Sequence, residues 1–326
     1  MRIRTTAAVT AACGAAALTL VAVPAATATA ADAPASVRPW QLTGTSAGGT
    51  GGRTAFTATT ATTATTATAK QPYALAVTFS KVKVAGGKTT VSVGTDAIVH
   101  VSYSFNLTAT NVDVSAPDFY VGLDLYRGSA SKPTSDLYGD QAATCDVTSS
   151  ESSYEKVVTG MSCKGKVDIY PRSDLRNADA GAKWHAVAWA VAYNGQKPQN
   201  PADVSKIGTA ELAGQTSPTV RRLSRLTVNA APEPVRKGKT LTVTGALTRA
   251  NWETHKYAGY TGQKVKLQFR KKGTSTYKTL KTITTDSHGN LRTTCKATTD
   301  GYWRYSFAGT ATTPAVSATG DYVDVK

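Results

Sequence analysis

The sequence predicts an all-β chain of two sandwich-type domains behind an export signal and an Ala/Thr-rich leader. Three observations predict it. Apolar and polar residues alternate at period two in one segment after another, as in FYVGLDLYRG and KVKLQFRKK. Gly and Pro, 27 and 13 of 326 residues, punctuate those segments at short intervals. No long stretch carries apolar residues at helical spacing.

The N-terminus has the three-part layout of a secretory signal. Arg2 and Arg4 form a basic start, Ala7 to Val23 are uncharged and apolar, and Ala28-Thr29-Ala30 fits a small-residue cleavage site, so residues 1–30 read as the signal peptide. Its apolar run is diluted by Thr and Gly and ends in Pro, which disfavours a membrane anchor. No second run is long enough to span a bilayer, so the mature chain is expected to have no membrane span. Residues 31–71 contain a Gly-rich part and a TTA-type repeat, and after Phe56 they offer no large apolar side chain to build a core. They read as a disordered linker.

Residues 72–221 form the first folded unit. In IVHVSYSFNL, Val99, Val101, Tyr103, Phe105 and Leu107 share one face, and His100, Ser102 and Ser104 share the other. In FYVGLDLYRG, Phe119, Val121, Leu123 and Leu125 share a face. In KGKVDIYP, Val167 and Ile169 point inward and Asp168 toward water. The run WHAVAWAVAY, 184–193, is apolar on both faces and reads as a central strand covered on both sides. Gly86-Gly87, between KVKV and TTVSV, signals a hairpin.

Residues 222–326 form the second unit. LTVTGAL, KVKLQFRKK, NLRTTCKA, YWRYSFAG and YVDVK follow each other at spacings that fit an immunoglobulin-like sandwich. The boundary falls near SPTVRRLSR.

Of four cysteines, Cys13 leaves with the signal. Cys145 and Cys163 lie in one unit of an exported chain and are expected to form a disulfide. Cys295 shares strand parity with Leu291, Thr293 and Ala297 and reads as a small buried residue.

Charge is distributed unevenly. Residues 71–220 hold 13 basic and 14 acidic side chains, and residues 221–326 hold 19 basic and 6 acidic. The balances are therefore −1 and +13. With Val265, Leu267 and Phe269 in the core, Lys264, Lys266, Gln268 and Arg270 face water together. Arg222, Arg225, Arg236, Lys237 and Lys239 add charge near the start of the unit, and Lys271 and Lys272 extend the run. Such a surface attracts polyanions by screened electrostatics. For an exported protein these are cell-wall polymers, acidic glycans, membrane headgroups or extracellular nucleic acid. No fold motif for sequence-specific nucleic-acid binding occurs.

Catalytic motifs are absent from the sequence. His100, His185, His255 and His288 keep no metal-ligand spacing, and there is no C-x-x-C, H-E-x-x-H, P-loop or G-x-S-x-G. His288, in TDSHGN, reads as a hairpin turn. Asp124, Asp168 and His185 are the residues on which an enzyme reading would rest. Asp113, Asp118, Asp124, Asp136, Asp140 and Asp146 are the oxygen ligands on offer for calcium, the one cofactor considered. They form no D-x-D-x-D-G loop, and turn and strand-surface roles account for them equally. Trp303, Tyr305 and Phe307 share a core face. Trp252, Tyr257 and Tyr260, in RANWETHKYAGYTG, are the better candidates for stacking on a sugar, and packing of that loop over the end of the sandwich is the reading preferred to ligand binding.

From about Leu223 to Lys326, the segments LTVNAAPEPVRKGKTLTVTGALTRANWETHKYAGYTGQKVKLQFRKKG, TDSHGNL, DGYWRYSFAGT and GDYVDVK carry a likeness. This block resembles an immunoglobulin-like module of secreted proteins from high-GC Gram-positive bacteria, Streptomyces-type in particular. Function in that group is unknown, and some members are labelled calcium-binding. The resemblance implies the fold and brings no catalytic residues. Cys295 departs from it, standing where an ordinary hydrophobic residue or Thr is expected. The expected function is a secreted, non-enzymatic protein that associates with the cell envelope or another extracellular polyanion through the basic module. The alternative is a calcium- or carbohydrate-binding accessory protein.

Overall fold

The computed structural model describes residues 71–198 and 200–326; the signal peptide and nearly all of the leader lie outside them. The protein is all-β, built as two β-sandwiches in series.

The first sandwich uses β1 (Tyr73–Ala74), β2 (Val77–Val84), β3 (Thr90–Val93), β4 (Val99–Thr110), β5 (Phe119–Ser129) and β6 (Lys132–Leu137). It continues with β7 (Thr144–Ser152), β8 (Val157–Ile169), β9 (His185–Ala192), β10 (Gly208–Thr216) and β11 (Thr219–Arg222). One sheet runs β1-β10-β9-β5-β6 and the other β2-β4-β8-β7. Val101, Tyr103, Phe105 and Leu107 of β4 meet Val121, Leu123 and Leu125 of β5 and the alanines of β9 in one core. β-Branched and aromatic residues at period two suit a pleated surface with one dry side. The core of the sandwich is where the alternation placed it.

β9 is buried on both faces. Its even-numbered alanines, 186 to 192, fill the inter-sheet core, while Val187 and Val191 lie under Tyr126 and the 193–207 loop. Gly122 on β5 leaves room for the Trp189 indole, which occupies the space a Cβ there would need. Cys145 and Cys163 are opposite each other on β7 and β8 and are bonded, with Cα atoms 4.1 Å apart.

One local expectation is corrected and another refined. Gly86 and Gly87 adopt positive φ, 62° and 85°, but they do not close a hairpin. β2 pairs with β4, whereas β3 leaves that sheet and pairs in parallel with β11. The glycines fix the turn, and the long-range partner decides the pairing. Asp168 points away from the core, onto the face of His100, but it is only 7% exposed, because His100 and the Asp140 N–H cover it.

The chain passes through Leu223 into β12 (Ser224–Leu226), β13 (Asn229–Ala231), β14 (Thr240–Asn251), β15 (Lys256–Gly259) and β16 (Lys264–Lys271). It ends with β17 (Lys278–Thr284), β18 (Asn290–Lys296), β19 (Gly301–Phe307), β20 (Val316–Ser317) and β21 (Asp321–Val323). β12, β13, β15 and β18 all pair with β14; the facing sheet runs β17-β16-β19-β20, with β21 also on β19. Leu241, Val243 and Leu247 pack on Val265, Leu267, Trp303, Tyr305 and Phe307. Cys295 is half-buried at the edge of this core. His288 lies in a turn, but that turn joins β17 and β18, strands of different sheets, so it is a corner rather than a hairpin.

The sandwiches are locked together. Ala250 and Trp252, at the end of β14, belong to the core of the first sandwich. The Trp252 indole N–H donates to the Gly94 carbonyl at 2.8 Å. Asn177 accepts from the Trp252 backbone N–H at 3.0 Å and donates to Asn251 at 3.0 Å.

Candidate functional site

β16 alternates as its sequence requires. Val265 and Leu267 are fully buried, and Lys264 and Lys266 are exposed on the opposite face. β16 lies between β17 and β19, so Lys264, Lys266, Gln268 and Arg270 run along the interior of an open sheet face. The register places Arg304 opposite Gln268, Tyr302 opposite Arg270, and Tyr322 opposite Tyr302. Side chains opposite each other in an antiparallel pair are about 5 Å apart at Cβ, close enough to stack.

They do stack. The Arg304 guanidinium is 3.7 Å from the Tyr277 ring centroid, and its Nε donates to Gln268 Oε1 at 2.9 Å. Arg270 lies 4.1 Å from the Tyr302 ring and 5.3 Å from that of Tyr277, and it donates to the Thr274 carbonyl. Tyr302 leans on Tyr322 with centroids 5.2 Å apart. Lys272 donates to the Tyr322 hydroxyl at 3.1 Å, and that bond, with Asp300 adding, holds its ammonium above the usual lysine range. Each guanidinium is within cation–π reach of a ring, which fixes the plane of its donors.

The remaining basic candidates collect at one end of the sandwich. Arg236, Lys237 and Lys239 are exposed on the β13–β14 turn. Backbone bonds from Lys237 to Lys326 and from Gly238 to Ala297 hold that turn beside the loop leading into β19. Lys271 and Lys272 reach the same loop, where the Lys272 N–H donates to the Asp300 carbonyl. Asp300 also pairs with Lys272 at 3.8 Å, so this end is partly neutralised. Lys264 and Lys266 lie further along β16. Arg222, expected in water, is 7% exposed at the junction and donates to the Ala250 carbonyl; burial lowers its guanidinium to about 10.

Two of the three rings considered for a sugar are buried, as the packing alternative has it. Trp252 is 1% exposed and Tyr260 9%. Trp252 fills the joint between sandwiches, and Tyr260 packs edge-on against Phe307 with Arg249 over its ring at 3.9 Å. Tyr257 is half-buried, with Arg225 3.6 Å from its ring centroid. The segment is not a loose loop. It is the β14–β15 hairpin, whose tip is pressed against the first sandwich.

The aspartates of the first sandwich do not converge. Asp113 caps Ser115, Asp118 accepts from the Gly195 N–H, Asp124 accepts from the Trp189 indole at 3.0 Å, and Asp146 pairs with Lys164 at 3.6 Å. Among the described residues, no three His, Cys, Asp or Glu side chains are placed to hold a metal ion. Asp124, Asp168 and His185 do not form one constellation either: Asp124 and His185 are diagonal neighbours on β5 and β9, but Asp168 lies on the other sheet. Asp124 lies under Trp189, His185 stacks on Tyr126 at 5.6 Å, and Asp168 is on the other sheet with His100. His100 and Asp168 line a cleft of about 600 Å³ with Ser102, Lys164 and Lys166.

Tyr277, Tyr302, Arg304 and Tyr322 were not singled out from sequence. Reading Trp303, Tyr305 and Phe307 as core puts Tyr302 and Arg304 on the outer face, which is the available signal. The partners across β16 and β21 are not in it.

No protein-family profile and no curated protein matches the chain. Among solved structures it is similar to the full three-immunoglobulin-domain ectodomain of mouse nectin-like molecule 4, at 14% identity and a TM-score of 0.20. That match covers 78% of this chain and 64% of the other, so it spans less than two thirds of that ectodomain. Among the described residues no helix is long and apolar enough to cross a membrane.

Proposed function

We infer that this is a secreted, non-enzymatic protein that associates with the cell envelope or a comparable extracellular polyanion through its second sandwich. One observation carries the reading: the charge balance is −1 on residues 71–220 and +13 on 221–326, with Lys264 and Lys266 exposed on an open sheet face. Charge concentrated on one module steers polyanions to it and makes binding salt-dependent. The buried Cys145–Cys163 bond supports an oxidising compartment.

Co-sedimentation of the full chain with purified cell-wall sacculi over a salt series tests this. Binding is expected to weaken steeply with salt and to be lost in K264E/K266E. Because Trp252 completes the core of the first sandwich, charge reversal replaces deletion of the second. Salt-insensitive binding, or K264E/K266E sedimenting like the parent, would sink the reading.

A further inference from the structure

Resting on that reading, we propose that the open face of the β17-β16-β19-β20 sheet is a binding track for a linear phosphodiester polymer, with Arg270 and Arg304 as its orienting forks. The first observation is a local charge imbalance. Arg127 and Arg172 of the first sandwich sit on carboxylates, Asp179 and Asp96. Arg270 and Arg304 instead donate to neutral acceptors, the Thr274 carbonyl and Gln268 Oε1. Both guanidiniums flank Tyr277, at 5.3 and 3.7 Å. Among the described residues, neither pairs with a carboxylate. Two cations are thus held near one ring with neutral bonds, a geometry an anion completes.

The second observation concerns what the face offers a ligand. Tyr277 and Tyr302 have guanidiniums over their rings, so those ring faces are taken. A sugar or a nucleobase recognised by stacking finds little platform there. Both arginines are half-exposed, and beyond the single bonds to the Thr274 carbonyl and Gln268 Oε1 their guanidiniums keep further N–H donors to offer. Arginine stacked on an aromatic ring loses little further freedom when it bonds, and its fork matches the two non-bridging oxygens of a phosphodiester; it matches a carboxylate equally, so the choice of a phosphodiester chain over an acidic glycan rests on the occupied ring faces.

The third is the continuation of charge. Lys266 and Lys264 follow Arg270 on the same face of β16, beyond Gln268. Same-face side chains recur about every 6.8 Å along a strand. Such a row suits a chain with one charge per unit better than a compact anion. The polymer would lie along β16 with its phosphates over Arg270 and Arg304 and its tail over the lysines.

The test is binding of the full-length secreted protein to a glycerol-phosphate oligomer and to a galacturonate oligomer of equal charge number. The parent is expected to bind the phosphodiester about tenfold more tightly, because the ring faces on which a sugar would stack are already occupied. R270K/R304K keeps every formal charge and is expected to erase that preference. K264Q/K266Q is expected to lower the salt slope for both oligomers and to leave the preference intact. Thermal melting of each variant checks folding, and R304K alone carries the comparison should the double variant melt early. Equal affinities for the two oligomers, or a preference surviving R270K/R304K, overturns the fork proposal while the polyanion reading stands. Absence of binding to either oligomer overturns both.

Discussion

Replacing Trp252 with Ala should split the melting of this protein in two. The side chain belongs by sequence to the second sandwich, yet it is 1% exposed within the core of the first and bonds the Gly94 carbonyl at 2.8 Å. Truncating a buried Trp costs about 3–5 kcal/mol through lost burial and an unfilled cavity. The orphaned Gly94 carbonyl is part of that cost. At about 2–4 °C per kcal/mol for a unit of this size, the first sandwich should lose roughly 6–20 °C. The second should lose much less, because its own core does not include Trp252. Differential scanning calorimetry of the parent is expected to show one cooperative transition, and that of W252A two. Trp252→Phe keeps most of the volume and removes only the N–H donor, so it should cost about 1–3 kcal/mol. If W252A kept a single transition within a few degrees of the parent, the idea that this ring joins the two cores would fail.

Three further outcomes follow from the structure. Replacing Cys145 and Cys163 with Ala should cost about 3 kcal/mol in urea unfolding, since the bond closes a loop with a sequence separation of 18; an unchanged midpoint would show that the bond constrains little. Gly122→Ala should destabilise by about 1–3 kcal/mol, because the new Cβ meets the Trp189 indole; Ala tolerated at no cost would mean Trp189 has room to move. Burial pushes the Cys295 thiol above its ordinary range, so its thiolate is scarcer than that of a free cysteine at any given pH. Its labelling by a thiol reagent at pH 8 should therefore be slow when folded and rise in denaturant, and a rate matching a free thiol would contradict the burial.

Period-two patterning located most of both cores, because burial of one strand face is written into each strand separately. Val101, Phe105, Val265 and Leu267 could be assigned without knowing any partner. The double burial of 184–193 was legible for the same local reason, and the 145–163 bond from two cysteines lying in one unit of an exported chain. The Gly86-Gly87 turn shows the limit. Its backbone was correctly read as a turn, but pairing depends on strands far away in sequence, and β3 found β11.

The candidate site divides in the same way. Lys264 and Lys266 were legible as exposed charge from parity alone. Trp252 and Tyr260 were offered to a sugar because a polar, turn-rich segment looks like a loop; the other reading, packing over the end of the sandwich, is the one the structure has. Arg222 was counted with the basic surface for a similar reason: its charge favours water, and the sequence says nothing of what packs around it. Tyr277, Arg304, Tyr302 and Tyr322 come from two strands and a loop, so no window of sequence contains their stack.

By itself, the sequence determined the all-β class, the two sets of core residues, the disulfide and the charge asymmetry. Each of these follows from composition or from alternation along one strand. Only the tertiary structure decided that the two sandwiches share a core through Trp252, and that arginines from neighbouring strands stand over tyrosines on one open face. Those depend on register and on packing between distant segments, where side chains separated by tens of residues come within a few ångströms.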